Sequence, residues 1–194
     1  MENFKKFIPW IILGALVLWG ISAYNGMVSK EQSADEAWAN VESSYQRRMD
    51  LIPNLVNTVK GYANFEQETL TKVIEARASA TQIKIDPSRI TPEQLQQFQQ
   101  AQAGVSSALG RLLAVAEGYP DLKANQNFLD LQSQLEGTEN RINVARNRFN
   151  ETVKDYNGAI KRFPGNLIAK ITGFEARAFF EAQEGAEKAP EVKF

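Results

Sequence analysis

The stretch ADEAWANVESSYQRRMDLIPNLVNTV, residues 34–59, decides the fold class, because its apolar and bulky positions recur every three or four residues. That spacing places them along one face of an α-helix and is typical of helical bundles and coiled coils. Followed in both directions, the pattern predicts one long helix from about Ser29 to Ala80. Pro53 lies inside it and removes one backbone hydrogen bond, so we expect a kink there and not an end. The first positions of the series are Ala34, Trp38, Val41, Tyr45, Arg48, Ile52, Leu55 and Val59.

Three further helices are predicted downstream. Thr91-Pro92-Glu93-Gln94 combines a capping threonine, a proline suited to the first turn and a glutamine that completes a capping box, so a second helix begins there. It ends near Gly118. A third helix begins between residues 121 and 126 and reaches about Arg162. A shorter amphipathic helix follows, from about Asn166 to Glu184.

These helices predict an all-α fold, in which an N-terminal transmembrane helix precedes an elongated antiparallel bundle of three long helices plus a shorter fourth. We divide the chain into a tail and anchor (1–28), a bundle domain (29–184) and a flexible tail (185–194). The first helix would be about 75 Å long and the second about 40 Å. The membrane-proximal half of the first helix therefore needs cover from the third and fourth helices or from a second copy, and both remain open.

The N-terminal segment FIPWIILGALVLWGISAY, residues 7–24, contains no charged side chain. As a helix it would be about 27 Å long, close to the bilayer core of about 30 Å. Its predicted anchor residues are Phe7, Trp10, Trp19 and Tyr24, whose rings suit the interfaces at the two ends. A cleaved signal peptide is the alternative, but its apolar region usually spans about 7–15 residues. A retained single-pass anchor is the preferred interpretation.

The charges around the anchor predict its orientation. Lys5, Lys6 and the α-amine precede the segment, whereas only Lys30 follows it closely. The positive-inside rule therefore places the N-terminus in the cytoplasm and the bundle on the other side of the membrane.

The composition argues against several classes of function. Lys plus Arg is 22 and Asp plus Glu is 23, so nothing in the net charge of −1 indicates nucleic-acid binding. The sequence contains neither cysteine nor histidine, which removes disulfides, the usual zinc and haem ligands, and thiol or imidazole catalysis. We predict a non-enzymatic protein without a cofactor. An enzyme that uses carboxylates alone is the least favoured alternative.

Five asparagines on the third predicted helix form a candidate interaction face. They lie within about a 100° arc beside the apolar stripe. Each asparagine destabilises a helix by about 0.5 kcal/mol relative to alanine. Five of them on one face therefore suggest a function for their amide side chains. The hypothesis is an amide-lined surface for a partner or a second copy, and the alternative is an ordinary solvated flank. The residues are Asn140, Asn143, Asn147, Asn150 and Asn157.

Polar side chains also occupy positions in the apolar seams. Polar seam residues often fix the register of a bundle at some cost in stability. The alternatives are that they line a binding cavity or lie at the solvent edge of a loose core. We predict the register-setting role for Arg48, Glu66, Arg77, Gln102, Thr138 and Thr152.

The fourth predicted helix has a strongly apolar face formed by Leu167, Ile168, Ile171, Phe174, Ala178 and Phe179. We expect this face to pack on the bundle. The alternative is a position on the membrane surface, with Lys170 and Arg177 near the lipid headgroups.

Three segments carry a family resemblance: YNGMVSKEQSADEAWANVESSYQRRMDLIPNLVNTVKGYANFE (24–66), AVAEGYPDLKA (114–124) and YPDLKANQNFLDLQSQLEGTENRINVARNRFNETVKDYNGAIKRFPGNLIAKITGF (119–174). In this order they resemble the LemA family, and the chain after Phe174 departs from that pattern. The resemblance implies a bacterial protein with one membrane helix, a bundle of about four helices and no established catalytic residues.

Together these features predict a membrane-anchored scaffold of the bacterial inner (cytoplasmic) membrane, with its bundle outside the cytoplasm. It would self-assemble as a homo-oligomer or bind envelope proteins. An adaptor or regulator of a membrane protease or signalling protein is the alternative function.

Overall fold

The computed structural model describes residues 7–62 and 66–181, and in this part of the chain all regular structure is helical. The predicted all-α class is confirmed. The elements of the described part are α1 (Ile8–Lys60), α2 (Gln67–Gln82), a 3₁₀ turn (Pro87–Arg89), α3 (Pro92–Ala116), α4 (Pro120–Lys123), α5 (Gln126–Lys161) and α6 (Gly165–Thr172).

Helix α1 joins the anchor and the bundle without a break. It contains 53 residues and is about 80 Å long. The large apolar side chains before Tyr24 are exposed, whereas from Met27 onward buried positions recur every three or four residues. The boundary that we predicted between residues 28 and 29 therefore falls inside one helix. Pro53 lies within α1, which continues past it to Lys60 as expected.

The first predicted helix does not continue to Ala80, and this prediction was wrong. Helix α1 ends at Lys60, and α2 returns antiparallel to it, so that Arg77 Nε donates a hydrogen bond to the Met49 carbonyl at 2.9 Å. Leu70 on α2 is buried in the same core cluster as Leu55 on α1. The apolar spacing continues across the reversal because both arms of this hairpin bury one face in the same core.

Helix α3 begins where the sequence predicts. The Thr91 side chain accepts a hydrogen bond from the Gln94 amide, and the Gln94 side chain accepts one from the Thr91 amide, so the capping box is confirmed. Phe98 lies beside Tyr45 and Gln102 beside Arg48, which makes α3 parallel to α1.

Helix α5 runs antiparallel to α1 along most of the bundle. Glu139 lies at the level of Arg48, and Ile160 packs in the cluster that contains Met27. The end of the rod remote from the anchor is therefore a bundle of four helices, α1, α2, α3 and α5. Its core includes Ile52, Leu55, Leu70, Leu112 and Leu135.

The predicted fourth helix is much shorter than expected. The break predicted around Pro164 separates α5 from α6, and α6 ends at Thr172, where Gly173 adopts φ 82° as a left-handed cap. Residues 174–181 are not helical and return along α5. The remainder of the predicted helix, to Glu184, and the tail 185–194 lie outside the described residues.

The C-terminal elements cover the part of α1 that follows the apolar segment 7–24. Ala169 of α6 packs with Met27, and Phe180 packs with Trp38. The first predicted helix was longer than the second and needed other elements to bury its apolar face. Those elements belong to the same chain. That difference gives no argument for a second copy.

Candidate functional site

An extended segment, residues 174–181, is held along α5 by the amide side chains of two asparagines. Asn157 donates to the Arg177 carbonyl and accepts from the Arg177 amide, both at 2.9 Å. Asn150 donates to the Phe180 carbonyl at 2.9 Å and accepts from the Phe180 amide at 2.8 Å. Each asparagine thereby bonds both main-chain groups of one residue, as a neighbouring β-strand would. These four bonds recognise the backbone, whatever side chains the segment carries.

The spacing of the two asparagines matches an extended chain. Asn150 and Asn157 are seven residues apart on α5, which is about 10.5 Å along the helix axis. Their partners Arg177 and Phe180 are three residues apart, which is about 10 Å in an extended chain. Asn143 lies one further step of seven along the same row, which we call the asparagine row (Asn143, Asn150, Asn157).

Phe180 anchors the segment in the aromatic core. Its ring lies nearly parallel to Trp38 at a centroid distance of 5.9 Å and edge-on to Phe149 at 5.5 Å. The Arg146 guanidinium lies 4.8 Å from the Phe180 ring centroid. Phe180, Trp38 and Phe149 are all buried, so detaching the segment would expose apolar surface on both sides of the contact.

Arg177 provides a second anchor of a different kind. Its buried guanidinium pairs with Asp35 at 2.6 Å and Glu31 at 3.5 Å, both on α1, and lies 5.3 Å from the Tyr156 ring centroid. A buried cation needs such compensation because removal from water is costly. The segment is therefore connected to α1 by charge and to α5 by backbone hydrogen bonds.

Tyr156 lies under the same segment, and its hydroxyl donates to the Glu175 carbonyl at 2.9 Å. Burial raises the pKa of Tyr156 to about 12, and the negative charge of Glu31 adds to the shift. The neutral phenol is the form that makes this hydrogen bond as a donor.

The raised pKa predicts a loss of stability at alkaline pH. An unfolded tyrosine ionises near pH 10, so between about pH 10 and 12 the folded chain holds a proton that the unfolded chain has lost, and stability falls as pH rises. Tyr156→Phe should lose less stability between pH 8 and pH 11 than the original protein, measured as the change in urea midpoint. The raised pKa of Tyr45 affects both proteins equally. Equal losses in both would contradict the assignment to Tyr156.

The groove that holds the segment continues beyond its last described residue. The Glu181 carbonyl accepts from Gln99 at 3.3 Å and from Arg146 at 3.2 Å. Beyond it a cavity of about 620 Å³ lies between α3 and α5. Its polar lining is rich in amides, from Gln96, Gln99, Gln100, Gln102 and Asn143. Amide side chains both donate and accept, so this lining suits a polypeptide backbone.

Arg48 forms the floor of this cavity and ties three helices together. Only 1% of its side chain is exposed. It donates to Glu139 on α5 at 2.7 Å, and on α3 to Ser106 at 2.8 Å and to the Gln102 side chain at 2.5 Å. These bonds hold α1, α3 and α5 at one level, as the predicted register-setting role requires.

The structure divides the five predicted asparagines into two sets. The asparagine row faces the C-terminal segment and the cavity. Two of its members, Asn150 and Asn157, form hydrogen bonds with the backbone of that segment. Asn140 and Asn147 are exposed, and Asn140 borders a separate cavity of about 330 Å³ beside Val144. Sequence reasoning singled out the five asparagines together and did not foresee that the same chain pairs with two of them, because it assigned residues 166–184 to a helix. Gly173 and the position of Phe180 off the predicted apolar face were the available signals.

Three carboxylates beside the groove are engaged with arginines: Glu31 and Asp35 with Arg177, and Glu139 with Arg48. Within residues 7–62 and 66–181, no group of three or more acidic side chains is placed to hold a metal ion.

The predicted anchor residues are exposed on the N-terminal part of α1. Phe7 and Trp10 extend from its first turns, and Trp19 and Tyr24 lie towards the bundle. In the described part of the chain, α1 alone is long and apolar enough to cross a membrane. The Tyr24 ring packs against Phe174 at a centroid distance of 5.7 Å, so the end of the apolar segment contacts the folded domain.

Comparison with known proteins supports the family resemblance. The magnetosome protein MamQ of Magnetospirillum gryphiswaldense is 27% identical over 197 residues, covering 93% of this chain and 72% of the relative. MamQ 2 of Paramagnetospirillum magneticum is 27% identical, covering 84% of this chain and 66% of the relative. The protein LemA of Metamycoplasma hominis is 26% identical, covering 95% and 81%.

The apolar helix and these relatives indicate a membrane-associated helical protein. The sequence profile of the LemA family matches residues 37–194 and so includes the C-terminal part that we took as a departure from the family pattern. The chain belongs to the LemA family.

Proposed function

We propose that this protein is a membrane-anchored, non-catalytic scaffold that assembles with other copies by exchanging the extended C-terminal segment. The observation that carries the proposal is the pairing of Asn150 and Asn157 with the backbone of residues 174–181. A groove that binds this segment within one chain presents the same contacts to the same segment of a neighbouring chain. Exchange of an identical element is a low-cost route to an oligomer.

The membrane anchor favours such an exchange. Helix α1 runs from Ile8 to Lys60 without a break, so the groove lies at a fixed distance from the bilayer. Copies inserted in the same orientation therefore present segment and groove at the same height. Confinement to two dimensions also raises the effective concentration of like copies. In an inner-membrane location, Lys5 and Lys6 before the apolar segment favour the orientation with the bundle outside the cytoplasm.

The composition and the engaged carboxylates support a non-catalytic role. The sequence has no cysteine or histidine, and the acids beside the groove pair with Arg48 and Arg177. Five of the residues that line the cavity carry side-chain amides, which suit binding better than proton transfer because they do not titrate near neutral pH.

Because the chain has no cysteine, disulfide trapping can test the exchange directly. Gln99 contacts the Glu181 carbonyl, so Gln99→Cys on one tagged copy and Glu181→Cys on a differently tagged copy should form a disulfide-linked heterodimer in membranes. A Glu75→Cys copy, altered on the exposed surface of α2, is the matched control and should not link to Glu181→Cys.

A chain carrying both Gln99→Cys and Glu181→Cys measures docking within one copy. If the double variant cross-links only as a monomer and the two single variants give no heterodimer above the Glu75→Cys control, the segment stays within its own chain and the proposed exchange is wrong.

The open cavity favours a second candidate, an adaptor that holds an extended segment of another envelope protein. Asn143 continues the asparagine row there and lines the cavity beyond the docked segment. A photo-reactive residue at Gln100 should then cross-link to a second, different polypeptide in a constant ratio. Cross-links to residues 182–194 of the same chain alone would count against this adaptor role.

A further inference from the structure

Helix α6 turns large apolar side chains away from the protein. Ile171 is 85% exposed and Phe163, just before the helix, is 80% exposed, and Leu167 is also exposed. Single exposed apolar residues are normal on soluble surfaces, but a cluster within nine residues marks an interaction surface. We call Phe163, Leu167 and Ile171 the α6 patch. The sequence predicted that this face packs on the bundle, yet among its members Leu167 and Ile171 do not.

The α6 patch lies beside the end of the membrane anchor. Ile168, Ile171 and Thr172 border a cavity of about 260 Å³ whose other wall is formed by Gly20, Ile21 and Tyr24 of α1. Those α1 residues are the last turn of the uncharged segment 7–24. A helix at that level meets the boundary between hydrocarbon and headgroups, since the span has only about the length of the bilayer core.

The charged side chains of α6 and of the turns on either side of it, residues 161–174, are all positive, and Glu175 is the next acidic residue. Residues 161–174 include Lys161, Arg162 and Lys170 and contain no acidic residue. All three cations are exposed. Arg177, which the sequence offered as a fourth, is buried in its pairs with Glu31 and Asp35 and does not contribute. An apolar face flanked by lysine and arginine is typical of helices that lie in the membrane interface and attract anionic lipids.

We propose that α6 lies in the interface of the leaflet at the C-terminal end of the anchor, with the α6 patch inserted among the acyl chains and its cations on anionic headgroups. The occupant of the patch is thus the lipid of the membrane that α1 spans. Continuity with the anchor and the positive charge of residues 161–174 favour lipid over a second protein. Two attachments, α1 and α6, would fix the rotation and tilt of the rod, whereas one helix leaves both free.

Spin labels distinguish lipid, protein and water around the patch. The full chain carrying Ile171→Cys, labelled and placed in single-copy nanodiscs that contain anionic phosphatidylglycerol, should show high accessibility to oxygen and low accessibility to a water-soluble nickel complex. Val144→Cys is the matched control, because Val144 is 62% exposed on α5 far from the anchor. Its label should show several-fold higher nickel accessibility.

Two results would overturn the proposal. Nickel accessibility at Ile171→Cys equal to that at Val144→Cys means that the patch faces water. Low accessibility to both oxygen and nickel means that protein covers it. The charge requirement is tested by replacing Lys161, Arg162 and Lys170 with glutamine, which should remove any difference between anionic and zwitterionic nanodiscs. A difference that persists unchanged in this variant contradicts the role of the cations.

Discussion

Replacing Phe180 with alanine should detach the extended C-terminal segment and lower the free energy of unfolding by about 3 kcal/mol, the lower end of the cost of truncating a buried phenylalanine. Phe180 is buried against Trp38 and Phe149. Its removal leaves a cavity against two large rings that cannot close without moving α1 or α5. Loss of the ring also removes the Arg146 contact at 4.8 Å.

The neighbouring Phe179 provides a matched control. It is 43% exposed and makes none of these ring contacts in the described part of the chain, so Phe179→Ala should change stability by less than about 1 kcal/mol. Urea unfolding followed by circular dichroism measures both variants. Hydrogen exchange at the Arg177 and Phe180 amides measures detachment, because those amides bond to Asn157 and Asn150. Equal costs for the two variants would mean that Phe180 is not an anchor.

The same variant connects the fold to the proposed assembly. A segment that no longer fits the aromatic core of its own chain cannot fit that of a neighbour, so Phe180→Ala should also abolish the heterodimer between Gln99→Cys and Glu181→Cys. Phe179→Ala should retain it. If Phe180→Ala lowers stability but the heterodimer still forms, the contact between copies does not depend on docking of the segment.

Local rules were sufficient for the elements that depend on local geometry. The capping box at Thr91 and Gln94 needs only four residues, and the structure forms it. The apolar spacing from Ala34 to Val59 likewise predicts one buried helix face, and this prediction does not depend on which element packs against it. These features could be predicted from the sequence because no distant partner is needed to decide them.

The reversal after Lys60 and the extended segment could not be predicted in this way. A spacing of three and four residues is the same in a straight helix and in a hairpin whose two arms share a core, so Leu70 and Val73 fit either. The apolar spacing continued past Gly173 and predicted a helix, but Asn150 and Asn157 bond the main chain of Phe180 and Arg177 and hold the segment extended. The conformation of this segment is decided by asparagines of α5 that lie twenty and thirty residues earlier in the chain.

Removing the carboxylate of Glu139 is expected to be the second large destabilising change. Glu139→Ala leaves the Arg48 guanidinium, which is 1% exposed, with only neutral acceptors on Ser106 and Gln102. Removing one partner of a buried ion pair costs about 3–5 kcal/mol. We expect about 3 kcal/mol, because 42% of the Glu139 side chain is exposed and water can replace part of the lost interaction. Glu136→Ala, one turn away and exposed, should cost less than about 0.5 kcal/mol.

Arg48→Met removes the other partner of the ion pair. It eliminates the buried charge and leaves the Glu139 carboxylate free to be hydrated. Apolar replacements of buried ion pairs are often neutral or stabilising, so this variant should cost less than Glu139→Ala in the same urea experiment. A larger cost for Arg48→Met would show that the cluster stabilises the fold outright. If stability is kept while near-ultraviolet circular dichroism weakens, the buried arginine serves instead to fix the register of α1, α3 and α5. That register also sets the asparagine row opposite the C-terminal segment, because Asn143 and Glu139 lie one turn apart on α5.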